Sequence, residues 1–132
     1  MDIEEAREFF SHDRFATENG ITLEERDERH AVASLALAER HRNAHGGVMG
    51  GAIFTLADFA FAALTNGPGR STVAQQVSVS FLAAPSHGRL YVPSVGMFFR
   101  NHAGSREPRW TNPFPSSYSA RKRKSAPELS QK

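Results

Sequence analysis

Apolar and polar positions recur along this chain with two different periods, and each period predicts an element. Ile3, Ala6, Phe9 and Phe10 fall on one side of the stretch Ile3 to Phe10, the spacing of a short amphipathic helix. Asn19-Gly20 is turn chemistry, after which Ile21 and Leu23 alternate with polar neighbours. Ala31, Ala33, Leu35 and Leu37 then repeat at every second residue, so the stretch Glu18 to Arg40 predicts a hairpin or meander. The acid-rich run Glu24 to Glu28 reads as a solvated strand end.

The period changes after the glycine-broken loop "HRNAHGG". Gly50-Gly51 predict the start of a helix that runs to about Thr65, where Asn66-Gly67-Pro68-Gly69 stops it. Ile53, Phe54, Leu56, Ala57, Phe59, Ala60, Phe61 and Leu64 cover nearly all its sides. A helix apolar all round is expected to be enclosed, here wrapped by a sheet. "TVAQQVSVSFLAAP" predicts a strand with Val73, Val77, Val79 and Phe81 on one face. Ala74, Gln76, Ser78 and Ser80 occupy the other face. "GRLYVPSVGMFF" predicts one more strand, which Pro93 confines to an edge or a bulge.

After Arg100 neither period persists. Residues 101–132 hold four of the seven prolines, six serines and the basic run Arg121 to Lys124, a pattern that predicts a poorly structured tail. The chain thus divides into one domain over residues 1–100 and an atypical basic, Pro/Ser-rich segment over 101–132. A length of 132 residues suits a single domain with a real core.

Composition narrows the chemistry. The absence of cysteine excludes disulfides, thiolate metal sites and a thiol nucleophile, and suits a reducing cytoplasm. The acidic start "MDIEEAREFF" has no apolar core, so it is not read as a secretory signal. Val48 to Gly69 has the length of a membrane span, but its glycines, Thr55, Asp58, Thr65 and Asn66 argue for a buried helix in a soluble protein. Net charge is +2, divided into −6 over residues 1–40 and +6 over 100–132. The basic run lacks interleaved aromatics, so it reads as a solvated tail and no nucleic-acid partner is expected.

Asp58 is the one formally charged residue between Arg42 and Arg70. A carboxylate inside an apolar helix is costly unless it is paired or used. Upstream lie Asn43, His45 and a glycine-rich turn into a helix start, whose free N–H groups favour negative charge. A carboxylate and an amide-rich helix start are two parts of acyl transfer, as base or nucleophile and as oxyanion site. Gly50 and Asp58 are eight residues apart, about 12 Å along one helix, too far to share one carbonyl. If both act on one substrate they come from two chains, and a monomer is inert. "GGVMGG" lacks the Gly-Lys-Ser/Thr of a P-loop. His41 and His45 are four apart but not in helical sequence, so no metal site is expected. His12, His30, His87 and His102 are scattered and read as surface residues.

Three segments in order carry a resemblance: "HDRFATENGI" (His12–Ile21), "MGGAIFTLADFAFA" (Met49–Ala62) and "VSVSFLAAPSHGRL" (Val77–Leu90). From Phe9 to about Leu90 the chain resembles the phenylacetyl-CoA (PaaI-like) branch of the hotdog-fold acyl-CoA thioesterases. The resemblance implies an α+β hotdog fold, a curved antiparallel sheet wrapped around one long central helix. It implies acyl-CoA as substrate, coenzyme A being part of that substrate, with no metal or other cofactor. Asp58 matches the catalytic carboxylate, Gly50 the amide that polarises the thioester carbonyl, and Asn43 the asparagine that positions water or carbonyl. His45, Met49, Gly51, Gln76 and Ser78 are the candidate substrate contacts. A homodimer, or a dimer of dimers, follows from the family's shared site.

Three departures stand out. Met49 replaces a histidine of many relatives, and Ala74 stands where some carry a serine or threonine. The region after "GRL" lacks three further alternating strands and a closing glycine-threonine-alanine-tyrosine segment, as if the reading frame shifted after about Val92 or the gene had degraded. A second reading is therefore a non-catalytic hotdog module that binds acyl-CoA or only dimerises. Hydratase chemistry would want an Asp–His pair, and no histidine lies between His45 and His87. The acyl group is not legible: Phe54, Phe59 and Phe61 either line a pocket or fill core.

Overall fold

A computed structural model describes residues 1–74 and 76–95. Helix α1 (Ile3–Ser11) opens with a capping box in which Asp2 and Glu5 each accept the other's backbone N–H. A short helix α2 (Arg14–Glu18), which the hydrophobic pattern does not announce, is capped by Asp13. Strands β1 (Ile21–Arg26) and β2 (His30–Ala36) form the expected antiparallel hairpin. Helix α3 spans Gly50–Thr65, and β3 (Arg89–Val95) pairs antiparallel with β2. The described sheet has the order β1-β2-β3.

Small residues set how α3 lies on this sheet. Ala31 and Ala33 of β2, fully buried, belong to the same core as Ala57, Ala60 and Ala63 of the helix. With side chains this short on both sides, the helix axis can approach the sheet closely. Leu35, Leu56, Leu90 and Val92 fill the remaining space, and Phe10 brings α1 edge-on to Phe59 at 5.9 Å.

Four features differ from the sequence pattern. First, the described residues do not enclose α3 on all sides. Gly51, Phe54 and Asp58 are exposed, because the three described strands and two short helices cover only one side of this 16-residue helix. Second, the described residues between Val73 and Leu82 form no ladder with any other described residue. The alternation there is that of a strand, but strand character needs a neighbour for its backbone groups. Third, Glu24 is not simply solvated. A bulge between Leu23 and Glu25 turns it toward Ser34, Thr22 and Arg89, and the Ser34 hydroxyl holds its carboxyl below the ordinary range. Fourth, His41 is 2% exposed rather than loop surface. Pro93 sits opposite Val32 on β3, the outer strand of the described sheet, where a missing N–H is tolerated. The segment 101–132 and its proposed frame shift lie outside the described residues.

Arg26, at the end of β1, ties the sheet to the C-terminus of α3. Its Nε donates to the Ala63 carbonyl at 2.7 Å and its Nη2 to the Asn66 carbonyl at 3.3 Å. A cation on the last free carbonyls both satisfies them and opposes the helix dipole. Arg26→Met keeps the aliphatic stem and removes both bonds. It should lower stability by about 1–3 kcal/mol, read as a lower urea midpoint at unchanged slope.

Candidate functional site

The loop before α3 is built from its own backbone. Asn43 N–H donates to the Gly47 carbonyl at 2.8 Å, and the Asn43 carbonyl accepts from Gly46 at 2.9 Å. The Asn43 side-chain oxygen accepts from His45 N–H at 3.0 Å and Gly47 N–H at 3.1 Å. Gly46 turns at φ +78°, a conformation that glycine adopts without a Cβ penalty. Asn43 therefore has its oxygen committed to the loop, and its Nδ2 is the atom left for a substrate or water.

His41 and Arg42, neither of which the sequence marked as structural, lock this loop in place. His41 Nδ1 accepts from Ala38 N–H at 2.9 Å, so Nε2 bears the proton and donates to the Asn19 carbonyl at 2.7 Å. With that tautomer, Arg40 Nε at 3.4 Å from the same nitrogen is a neighbour and not a donor to it. Both ring nitrogens of His41 are thus engaged within the fold, which removes it from any pairing with His45 on a metal. The His41 carbonyl accepts Met49 N–H at 2.7 Å and so fixes the residue that precedes the helix. Arg42 reaches the Gly46 carbonyl at 3.0 Å and the Ser86 carbonyl at 2.7 Å. The i, i+4 spacing of His41 and His45 drew attention to metal chemistry, whereas the signal was a buried latch.

Met49 is the N-cap of α3, extended at φ −61° and ψ 129°, and its side chain supplies no capping bond. The amides of the first turn, Gly50 and Gly51, are thereby left for an outside acceptor. Met49 itself is 54% exposed. Eight residues on, Asp58 projects from the uncovered face of the same helix, about 12 Å from Gly50 by the helical rise. One chain does not bring the carboxylate and the amide together. Partial burial raises the Asp58 carboxyl above its ordinary value, and the negative charge of Asp13 raises it further. Asp13 caps α2 by accepting Ala16 N–H at 3.3 Å.

Residues 72–86 run back along α3. Thr72 N–H binds the Asn66 side-chain oxygen at 2.6 Å at one end, and Arg42 holds Ser86 at the other. Gln76 and Ser78 lie exposed on this strap. Phe81 reaches Gly50: a Cβ at that glycine would lie 3.3 Å from the ring's Cζ. His45 is exposed in the loop. Among the described residues no helix is long and apolar enough to cross a membrane.

No protein-family model matches the chain. Among curated proteins it is 34% identical over 77 residues to acyl-coenzyme A thioesterase PaaI of Escherichia coli, covering 58% of this chain and 55% of that one. It is 35% identical over 68 residues to a putative esterase of Archaeoglobus fulgidus, covering 52% and 44%. The chain thus spans about half the length of the curated relatives it matches. Among solved structures, the E. coli PaaI protein from the phenylacetic acid degradation operon superposes with a TM-score of 0.62 at 28% identity, over 74% of this chain and 76% of that one. The fold is α+β of the hotdog type, with an antiparallel sheet against a central helix.

The charge environment of Asp58 gives a direct check. Its carboxyl carbon, followed by NMR, should titrate above the ordinary aspartate range, and Asp13→Asn should move the midpoint downward. Because the folded state binds this proton more tightly than the unfolded chain, ionisation of Asp58 lowers stability as pH rises through its raised pKa. Asp58→Asn should therefore leave the melting temperature at neutral pH equal or higher.

Proposed function

We propose that this chain, a hotdog-fold protein of PaaI-like sequence, is an acyl-CoA thioesterase whose site is completed by two copies of the chain. The observation that carries the reading is the placement of Asp58 on the open face of a helix that begins with the uncapped amides of Gly50 and Gly51. The similarity to a named acyl-CoA thioesterase supplies the substrate class.

In this reading the Asp58 carboxylate takes a proton from water as the oxygen attacks the thioester carbonyl, or attacks the carbonyl itself. The partner's Gly50 amide holds the developing oxyanion, a contact made strongest in the transition state. Collapse breaks the carbon–sulfur bond. After attack by water, the departing thiolate takes the proton that Asp58 holds; after direct attack it takes one from solvent, and water then hydrolyses the anhydride left on Asp58. The products are a carboxylate and free coenzyme A. Asn43 Nδ2 orients the water or the carbonyl, and His45, Met49, Gly51, Gln76 and Ser78 line the approach. Water is the second substrate, so the reaction calls for no metal or redox cofactor. The raised pKa of Asp58 suits a base, since proton affinity nearer neutrality drives the transfer. We place the reaction in the cytoplasm, which a cysteine-free chain suits.

A second reading has its own observation. Met49 offers no hydrogen bond at the helix start, which suits a hotdog module that binds acyl-CoA or dimerises without hydrolysis. A thiol-reactive dye separates the two, since only a thioesterase releases free coenzyme A.

Two variants test the shared site. Asp58→Asn should reduce turnover by about 100-fold or more with the fold intact. Gly50→Pro deletes one amide at the first helical position, where proline is tolerated, after a Met49 already in the extended backbone that precedes proline. It should cost turnover by a similar factor, with Gly50→Ala as control for the added carbon. Mixed and re-equilibrated, the two inactive proteins should recover about a quarter of wild-type activity, because half the dimers then hold one intact site. No recovery with dimers formed would overturn the two-chain site.

A further inference from the structure

We infer that Phe81 determines acyl specificity: its ring, laid against Gly50, is the wall on which the body of the acyl group packs beside the thioester carbonyl. The inference rests on the thioesterase reading of the same site. It starts from a steric fact. A Cβ on Gly50 would lie 3.3 Å from Cζ, 3.5 Å from Cε1 and 3.8 Å from Cε2 of Phe81. The ring therefore sits directly on the first residue of α3, with no side chain between them.

The path of the chain explains why it arrives there. The 15 steps from Gly50 to Thr65 advance about 22 Å along the helix. The nine steps from Thr72 to Phe81 can span at most about 30 Å, more than the return to the helix start requires. Thr72 is fixed at the helix end by Asn66, and Ser86 is fixed at the loop by Arg42. Both ends of the strap are pinned, so the ring is delivered to Gly50 by geometry and not by a flexible side chain alone.

Phe81 remains 56% exposed although an aromatic ring gains by burial. The far end of the ring, Cζ and the two Cε atoms, is spent on Gly50 and much of the rest is open. On the helix itself Phe54 is 38% exposed and shares the uncovered face with Asp58, four residues away. Phe59, by contrast, is 3% exposed and fills core, so it does not take part. When the amide of one copy meets the carboxylate of another, Phe81 accompanies the amide and Phe54 accompanies the acid. A thioester held between them has apolar surface on both sides. The acyl groups favoured are those with an apolar body as large as a ring next to the carbonyl, and acetyl is disfavoured.

The test compares acetyl-, hexanoyl- and phenylacetyl-CoA as substrates of wild type, Phe81→Ala and Phe81→Leu. Phe81→Ala should lower the phenylacetyl-to-acetyl ratio of kcat/KM by about tenfold, the effect of leaving roughly 50 Å² of apolar area in water. Phe81→Leu should restore the hexanoyl-to-acetyl ratio more fully than the phenylacetyl one. A loss equal for all three thioesters would mark a purely structural role and overturn the inference, as would unchanged ratios. Failure of the thioesterase reading has a different signature, no thiol release by wild type from any of the three. Binding then decides: calorimetry on the Asp58→Asn background should give a tighter Kd for phenylacetyl-CoA than for free coenzyme A. Phe81→Ala should erase that difference, and equal affinities before the substitution would sink the inference.

Discussion

The geometry of this protein follows from how one helix is seated. Alanines on β2 and alanines on α3 meet in the core, so the helix settles onto the sheet with half its circumference spent. The other half keeps Gly51, Phe54 and Asp58 at the surface. A helix of mean hydropathy this high would gain by covering that face, since each exposed phenylalanine leaves apolar area in water. A rigid rod also fixes the separation of its own residues. The amide end and the carboxylate stay about 12 Å apart whatever else moves. Seating and rigidity together are why the proposed site takes two copies of the chain.

Around that rod, polar groups are used for placement. His41 is buried with both nitrogens bonded, and its carbonyl holds Met49 immediately before the helix. Asn43 closes the loop with its side-chain oxygen, and Arg42 joins the loop to the strap. Arg26 holds the far end of the helix. Each of these bonds fills an otherwise orphaned donor or acceptor, and an orphan here would cost about 1–3 kcal/mol. The helix start is the exception, left without a side-chain cap. The proposed oxyanion role of the Gly50 amide rests on that local omission.

The hydrophobic pattern made α1, the β1–β2 hairpin, α3 and β3 legible, because each has a clear period and clear stop signals. Helix α2 was missed since five residues are too few for periodicity, and its cap Asp13 is a local hydrogen bond. The stretch Val73 to Leu82 reads as a strand because alternation reports which residues share a face. It does not report whether a neighbouring strand is present. The enclosed helix is met by the described residues on one side only: apolar residues on all sides say that cover is wanted, not which segment or copy supplies it. At the site, Asp58, Gly50 and Asn43 were visible as an isolated charge and loop chemistry. His41, Asp13 and Phe81 were not, because their roles depend on distances across the fold. Phe81 had a latent signal in the length of the segment after α3, which is long enough to bring it back to the helix start.

The conflict at Asp58 is the strongest local argument that the open face has a purpose. Burial and the neighbouring Asp13 both penalise its ionised form, so the fold would be better served by a neutral side chain there. Elsewhere the chain resolves such conflicts. Glu24, turned inward by a bulge, is met by Ser34, Thr22 and Arg89 and titrates below its ordinary value. The two carboxylates show that this sequence can satisfy an acid when only stability is at issue. Leaving one acid on an apolar face, beside a second acid and with no ion pair among the described residues, goes against its local preferences. Sequences keep such inconsistencies where chemistry requires them, and a proton acceptor whose affinity is raised toward neutrality is a requirement of that kind.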